Sequence, residues 1–335
     1  MSLFSDRYEI VQHLGSGGSG EVYLVRDRLL GTDVALKLLS GGNSLSIATR
    51  EGTALRALQS PHILPVLNVG VHHDVAYLVT EIAKAGSVES QIVSSGVGLP
   101  AQLACRWLRH ALVGLEYCHR QNVIHRDVTP GNLFLDEEGH ARVGDFGVAE
   151  NLDETGGAAR AGNPRANAPE VLDTGRMTIE SEIFSVGVTG WRMLTAQWPY
   201  DADELSDLAN KMRQSDRARL HDLCPHLPSS LVRIVERCLA PDPFDRYRSA
   251  ASLREALEHV KPTKRAWHNL APHNGHDRCW SGNFPSGETV VCVLGTGKTV
   301  EVETRRSNNN RILDGCFTTT SARLPVELRK LFRDL

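Results

Sequence analysis

No uninterrupted apolar run in the 335 residues approaches the ~20 that a membrane-crossing helix needs. The opening residues, Met1-Ser2-Leu3-Phe4-Ser5-Asp6, lack the basic stretch and following apolar stretch of a secretory leader, so none is expected. Cysteine is sparse. The seven cysteines are odd in number and scattered, which suits reduced thiols and a cytoplasmic location better than a disulfide framework. There is no internal repeat and no biased tract. Apolar residues at 41 % and charged residues at 23 % exclude collagen-like, low-complexity and wholly disordered chains. At about 150 residues per domain, the length predicts roughly two domains.

The net charge of −3 conceals an asymmetry. Residues 261–335 carry 12 Lys+Arg against 7 Asp+Glu, and residues 1–260 carry 25 against 33. A basic tail suits an acidic partner or nucleic acid. The bias is modest and has no long basic run, so docking on the chain's own acidic part is the preferred expectation, and nucleic acid is not expected.

Hydropathy patterning divides the chain. Tyr8 to Leu14 and Glu21 to Arg26 flank a glycine-rich turn, as in a hairpin, and Asp33 to Leu39 reads as a further strand. Ile47 to Leu58 has helical spacing, and Ile63 to Val71 with Val75 to Thr80 reads as a strand pair turning through His72-His73-Asp74. After Gly86, Leu103, Trp107, Leu108, Ala111, Leu112, Leu115 and Cys118 form one stripe of a long helix. Ile179 to Leu194, Leu231 to Leu239 and Leu253 to Val260 are further helices. A strand-rich part before a helix-rich part argues for two lobes of the α+β class. Beyond Pro262, Val290 to Leu294 and Lys298 to Thr304 alternate around Gly295-Thr296-Gly297, Ile312 to Phe317 suggests a third strand, and Leu324 to Leu335 fits an amphipathic helix.

Chemistry enters with Gly15-Ser16-Gly17-Gly18-Ser19-Gly20-Glu21-Val22, which matches G-x-G-x-x-G-x-V. Glycines let backbone N–H groups approach a phosphate chain. A strand rather than a helix follows, which disfavours a dinucleotide site. Lys37 in Val34-Ala35-Leu36-Lys37 offers phosphate oxygens a point charge, and Glu51 on the following helix suits an ion pair with it. Alone, either residue reads as a solvated surface charge. Then come His125-Arg126-Asp127-Val128-Thr129-Pro130-Gly131-Asn132, Asp145-Phe146-Gly147 and Ala168-Pro169-Glu170, in that order.

Over residues 8–260 this ordered set resembles the eukaryotic-type (Hanks-type) Ser/Thr protein kinase family, most closely its bacterial members. The resemblance extends to Arg246 in Asp242-Pro243-Phe244-Asp245-Arg246, the family's partner for the Glu of Ala-Pro-Glu, here Glu170. It implies a bilobal kinase fold with a strand-rich lobe at about 8–83 and a helical lobe at about 84–260, followed by a small αβ module over 261–335. It implies ATP and Mg²⁺, with Mn²⁺ an alternative, and protein substrates, the chain itself among them. Gly15 to Gly20 would cover the phosphates, Lys37 would bind them under the control of Glu51, Asn132 and Asp145 would hold the metal, and Asp127 would orient the attacking hydroxyl. By the same resemblance, adenine would lie against Leu14, Val22, Ala35 and Phe134, with Thr80 behind it and the backbone of Glu81 and Ala83 bonding to it. Plain core packing is the competing reading for each apolar position.

Four departures stand out. Thr129 replaces the Lys that follows the catalytic Asp by two positions in Ser/Thr kinases, which should slow transfer or shift the burden to the metal. Asn163 replaces the usual Thr before Ala-Pro-Glu. The only hydroxyl residue between Gly147 and Ala168 is Thr155, so phosphorylation of this loop is not expected to be required. Glu182 stands where the family has Asp and is expected still to accept backbone hydrogen bonds from the catalytic loop. Ser19 replaces an aromatic at the tip of the glycine loop.

Two alternatives to a protein Ser/Thr kinase are a nucleotide-binding pseudokinase scaffold and a kinase for a small-molecule hydroxyl. The five residues Lys37, Glu51, Asp127, Asn132 and Asp145 argue against the first, and the Glu170, Glu182 and Arg246 framework argues against the second. In the tail, Gly295-Thr296-Gly297-Lys298-Thr299 is not a P-loop, because Cys292 stands where its first Gly belongs. His268, His273, His276 and Cys279, with Cys292 and Cys316, are zinc-ligand types, but their spacing follows no zinc pattern, so zinc is not expected. Packing on its own strands is the default expectation for the tail, and the alternatives are an element that docks a partner or substrate or one that caps and regulates the preceding lobe.

Overall fold

The computed structural model describes residues 3–17, 20–39, 56, 58–261, 263, 265–273, 275–284, 287–295, 297–306 and 308–335. The chain begins with β1 (Leu3–Phe4), β2 (Tyr8–Gly17), β3 (Gly20–Asp27), β4 (Thr32–Leu39), β5 (Val66–His72) and β6 (Val75–Glu81). They form one antiparallel sheet in the order β1-β2-β3-β4-β6-β5. Tyr8, Val25, Val34, Leu36, Tyr77 and Val79 bury its core face. The β5–β6 turn is His73-Asp74, with φ of 47° and 62°. Two successive left-handed residues give the primed turn whose twist matches the strands it joins. The helix expected from Ile47 to Leu58 lies almost wholly outside the described residues.

The helical part follows: α1 (Val88–Ser95), α2 (Ala101–Arg120), α3 (Pro169–Thr174), α4 (Ile179–Thr195), α5 (Leu205–Arg213), α6 (Leu220–Leu223), α7 (Ser229–Cys238) and α8 (Ala250–Glu258). Between α2 and α4 lie β7 (Val123–Ile124), β8 (Leu133–Leu135), β9 (Ala141–Val143), β10 (Glu150–Asn151), β11 (Ala158–Ala159) and β12 (Arg176–Met177). The α2 stripe read from the sequence is the buried one, except that Leu103 is only half-buried. Helix α4 starts with a reciprocal cap between Thr178 and Ser181, which satisfies two end donors. From Ser181 to Leu194 only Arg192 escapes full burial. A helix buried on all sides is the central post of a core, and α4 packs against α2 and α7 in that way.

The tail holds β13 (His268–Leu270), β14 (Arg278–Phe284), β15 (Gly287–Leu294), β16 (Thr299–Arg306), β17 (Phe317–Thr320) and α9 (Leu324–Asp334). Its five strands form an antiparallel meander, with α9 packed on the face carrying Trp280, Val291, Val293, Val300 and Val302. Two sequence expectations need correction. The third strand is not Ile312 to Phe317: Leu313–Gly315 is a 3₁₀ turn, and the strand starts at Phe317. Gly315 lies so close to β16 that a Cβ there would sit 2.6 Å from the Thr304 hydroxyl, so this segment turns rather than extends. Strands β13 and β14 were not anticipated. Arg278-Cys279-Trp280-Ser281-Gly282-Asn283 is poor in strand formers, and pairing on both sides overrides that propensity. The basic tail meets the helical part at Asp222, through Arg329 at 3.0 Å and an Arg278 hydrogen bond to its carbonyl at 3.4 Å.

Candidate active site

The glycine-rich segment is the tip of the β2–β3 hairpin, where Gly15 pairs with Val22, Ser16 with Glu21 and Gly17 with Gly20. Gly20 is required there. It has φ +139°, and a Cβ on it would lie 1.8 Å from the Leu38 carbonyl oxygen. Gly18 and Ser19 lie outside the described residues, as does Glu51.

Lys37 sits on β4 opposite Val22 and Leu78. Its side chain is 9 % exposed, and its Nζ lies 2.5 Å from Asp145 Oδ1. Asp145 has left-handed backbone geometry, φ 60° and ψ 61°, and the same Oδ1 accepts from Gly147 N–H at 3.4 Å. That turn aims the carboxylate back at β4.

Asp127 is held at both oxygens. Asn132 Nδ2 donates to Oδ2 at 2.8 Å and to the Asp127 carbonyl at 2.8 Å, and the Asn163 backbone N–H donates to Oδ1 at 2.8 Å. Because the Asn132 amide nitrogen faces Asp127, its carbonyl oxygen points elsewhere and remains an acceptor. Gly162 permits this close approach: with φ +74°, a Cβ there would lie 2.4 Å from the Arg126 carbonyl and 2.7 Å from Asp127 Oδ1. Thr129 is buried at 8 % exposure and opens the 3₁₀ turn Pro130–Asn132.

The loop from His125 to Asn132 is anchored from below by Glu182, which is 1 % exposed. Its Oε1 accepts the N–H groups of His125 and Arg126, each at 2.8 Å, and its Oε2 meets His119 Nε2 at 2.6 Å. The backbone bonds expected of this Glu are therefore present, and the longer side chain gains His119 as a partner. Burial alone would raise the Glu182 pKa, but the hydrogen bond from His119, the nearby charges of His119 and His125 and the Arg126 N–H hold it below the ordinary carboxylate value. Glu170 and Arg246 form a two-pronged pair at 2.7 and 2.8 Å. The fully buried Arg246 also donates to the carbonyls of Ala240, Glu180 and Pro241.

Two partners were missed by sequence reasoning. Arg126 donates to the Glu150 carboxylate, to the Val148 carbonyl at 2.5 Å and to the Ala159 carbonyl at 2.8 Å. Glu150 sits five residues past Asp145, in no motif, so only the need of Arg126 for an acid could have flagged it. His119 likewise carries no motif. Thr155 is held elsewhere, by Asp153 at 2.8 Å and by Arg176.

At the expected adenine site, Leu14, Val22 and Ala35 lie on β2, β3 and β4, and Ala35 pairs with Thr80. Val22, Ala35, Thr80, Ala83 and Phe134 are half-buried, while Leu14 is 46 % exposed. Glu81, Ala83 and Phe134 line one cleft with Leu64, Lys84 and Arg142. The Phe134 ring packs on Gly144, where a Cβ would come within 2.7 Å of it.

Residues 8–260 match the family model described as the protein kinase domain. A probable serine/threonine-protein kinase of Clostridium perfringens (strain 13 / Type A) is 30 % identical over 267 residues, 77 % of this chain and 39 % of that protein. The serine/threonine-protein kinase PrkC of Bacillus subtilis (strain 168) is 28 % identical over 262 residues, 76 % of this chain and 40 % of its own length. The probable serine/threonine-protein kinase PknB of Lactococcus lactis subsp. lactis (strain IL1403) is 30 % identical over 254 residues, 73 % of this chain and 40 % of that protein. The chain thus spans about two fifths of the length of these curated relatives. Among the described residues, no helix is long and apolar enough to cross a membrane.

Proposed function

The chain belongs to the protein kinase family, and on that premise we propose that it transfers the γ-phosphoryl group of ATP to Ser or Thr hydroxyls of proteins. The observation that carries this reading is the pairing of Lys37 with Asp145 and of Asn132 with Asp127, on segments joined where the Gly144 N–H donates to the Asn132 backbone carbonyl at 2.9 Å. A cation is fixed on one carboxylate, and a second carboxylate is fixed by the neighbouring amide.

The donor set fits a magnesium-bound nucleotide, since Asp145 and the Asn132 carbonyl are the hard oxygen ligands that Mg²⁺ and Mn²⁺ accept. Bound Mg²⁺–ATP would supply the phosphoryl group and neutralise charge as it develops. The chain's own residues do the placing. Lys37 offers its ammonium to phosphate oxygens while Asp145 holds it in register, and Glu51 is assigned the same duty by position. Gly15 to Gly20 lay backbone N–H groups along the phosphates. Leu14, Val22, Ala35, Thr80, Glu81, Ala83 and Phe134 hold the base. Each Asp127 oxygen uses one lone pair on Asn132 or Asn163 and keeps another for a substrate hydroxyl. Asp127 thus orients that hydroxyl and takes up its proton, and positioning supplies most of the rate.

Ser/Thr specificity rests on the relatives' names and on the absence of the Ala-Ala-Arg catalytic-loop pattern of tyrosine kinases. The test is incubation of the full chain with γ-labelled ATP, Mg²⁺ and a generic protein substrate, followed by phosphoamino-acid analysis. Label on Ser or Thr that disappears in Asp127→Ala and Asp145→Ala is the expected result. ATP binding without labelled protein would overturn the reading in favour of a scaffold or a small-molecule kinase.

A further inference from the structure

The tail brings four metal-ligand side chains together that are spread over twenty residues of sequence. One ligand atom from each of His273, His276, Cys279 and Cys292 lies within 4.8 Å of all the others. Cys279 on β14 is directly opposite Cys292 on β15, and His273 Nε2 is 4.0 Å from the Cys292 sulfur. Around one zinc ion, with Zn–S of about 2.3 Å and Zn–N of about 2.0 Å, tetrahedral ligand atoms sit about 3.3–3.8 Å apart. The four atoms are therefore within a side-chain adjustment of that geometry.

The histidines are already oriented as ligands. His273 Nδ1 bonds to the Ala271 carbonyl at 3.2 Å, and His276 Nδ1 bonds to the His273 carbonyl at 2.7 Å. Donation from Nδ1 fixes the tautomer that leaves Nε2 with its lone pair, as in structural metal sites where a carbonyl aims the imidazole.

Placement on the sheet argues the same way. Trp280, Val291 and Val293 point to α9 and form the apolar core. Cys279 and Cys292 alternate with them and belong to the opposite face, where Cys292 neighbours Glu303. That face has Glu288, Glu303 and Arg305 along it. Yet the two thiols are 2 % and 5 % exposed, as the loop between β13 and β14 brings the histidines over them. An apolar contact does not account for two buried thiols on a charged face beneath two imidazoles. The other buried cysteines differ. Cys105, Cys118, Cys224 and Cys238 lie in the helical core among apolar side chains.

We propose that His273, His276, Cys279 and Cys292 bind one structural zinc ion that clamps the β13–β14 loop onto the outer face of the tail sheet. Two nitrogen and two sulfur donors in a closed set of four select zinc and leave no position for a reacting ligand. A module of this size gains from such a staple, because its one apolar core is small. The site also has a mechanical position. Strand β13 ends three residues before His273, and its Asn269 donates to the carbonyls of Gly98 and Leu194 in the helical part. Fixing the loop therefore fixes one of the strands through which the tail contacts the helical part.

The linear spacing hides this cluster for a geometric reason. Twelve residues separate the two cysteines because the β14–β15 hairpin itself lies between them, and pairing across that hairpin closes the gap. His268 and Cys316 do not join the set. His268 lies on β13 opposite Ser281, and the Cys316 thiol contacts the backbone of Thr304.

The experiment is elemental analysis of the full chain purified without chelator or added metal, with free thiols counted in denaturant. One zinc per chain, and its loss in Cys279→Ser/Cys292→Ser but not in His268→Ala, is expected. To separate ligand loss from misfolding of the double variant, unmutated protein is also stripped and reloaded with Co²⁺ alone. Intense visible bands with a thiolate-to-cobalt transition in the near ultraviolet are expected, as for tetrahedral sulfur ligation. Absence of zinc from protein with seven free thiols, a Cys279–Cys292 disulfide in its place, full zinc in the double variant, or an octahedral cobalt spectrum would each overturn the proposal.

Discussion

The guanidinium of Arg126, one residue before Asp127, is paired with the carboxylate of Glu150, five residues past Asp145. The Arg126 side chain is 9 % exposed and Glu150 is 38 % exposed, so the pair lies at the surface end of a buried arginine. In kinases switched by loop phosphorylation, a phosphate supplies the negative charge to this Arg. Here the chain carries a permanent carboxylate in contact with it. Arg126 also ties the segment after Asp145 to the one at Ala159, so the pair orders the loop that carries Gly162 and Asn163.

Thr155→Ala should therefore retain full kinase activity, and protein made without any phosphate on Thr155 should be active from the start. Glu150→Ala should lower kcat about tenfold, equivalent to about 1.4 kcal/mol of barrier, with little change in the KM for ATP. Steady-state kinetics on the two variants decides between them. A dead, folded Thr155→Ala protein would assign the switch to phosphorylation instead.

Gly162 is where the loop touches the carboxylate of Asp127. A methyl group there meets the Arg126 carbonyl and Asp127 Oδ1 at less than 3 Å and also disfavours the φ of +74°. Gly162→Ala should push Asn163 N–H away from Asp127 and lower kcat about a hundredfold, the scale of a displacement near 1 Å. Nucleotide affinity, read by fluorescence titration or calorimetry, should hardly change, because Lys37 and Asp145 are not in that contact.

Glu182 makes stability depend on acid. Its carboxylate faces His119, His125 and the Arg126 backbone, and its pKa in the folded chain lies below the ordinary 4.5. A carboxylate depressed in this way contributes stability in full above its unfolded pKa and loses it as pH falls through the folded value. Glu182→Gln keeps a carbonyl for the two N–H groups but sets an NH₂ against His119. It should cost about 3 kcal/mol near neutral pH, as expected when a buried ionic partner is removed. The gap in melting temperature between the two proteins should be widest at pH 7 and should narrow as pH falls below 4.5. A pH-independent gap would assign the effect to packing.

The parts of this molecule that are legible in the sequence are those whose geometry is local and those, like the Glu170–Arg246 pair, that sit in motifs of the family it resembles. His125 to Asn132 is one continuous loop, so Asp127 and Asn132 are joined by chain before they are joined by a hydrogen bond. The α2 stripe repeats at helical spacing, and the tail helix does the same. What escaped is pairing across strands or across the core. His119 reaches Glu182 over 63 positions, Glu150 reaches Arg126 through the β7–β10 pair, and Cys279 reaches Cys292 around a hairpin. Strand β14 was hidden for a related reason. Its Gly282 packs on Trp267, with room for no Cβ beyond 2.7 Å from the indole, so a residue that reads as a strand breaker is there for close packing.

Thr129 gives the last prediction. In this position a Lys would place a cation beside Asp127 and the transferring phosphoryl group, where fixed charge lowers the barrier most. The Thr129 hydroxyl lies 3.8 Å from where a Gly131 Cβ would be, and the side chain is almost wholly buried. A Lys stem fits such a site only by running its methylenes along the turn and letting the ammonium emerge toward the nucleotide. If it does, Thr129→Lys should raise kcat up to about tenfold, leave the KM for ATP within a factor of two or so, and weaken the dependence of rate on Mg²⁺ concentration, since protein and metal then share the neutralisation. A folded variant with lower kcat and unchanged Mg²⁺ dependence would mean that the loop has closed around a small residue. In that case the enzyme places its phosphoryl group with Lys37 and metal alone, and the missing cation is a built feature of this site rather than a deficit.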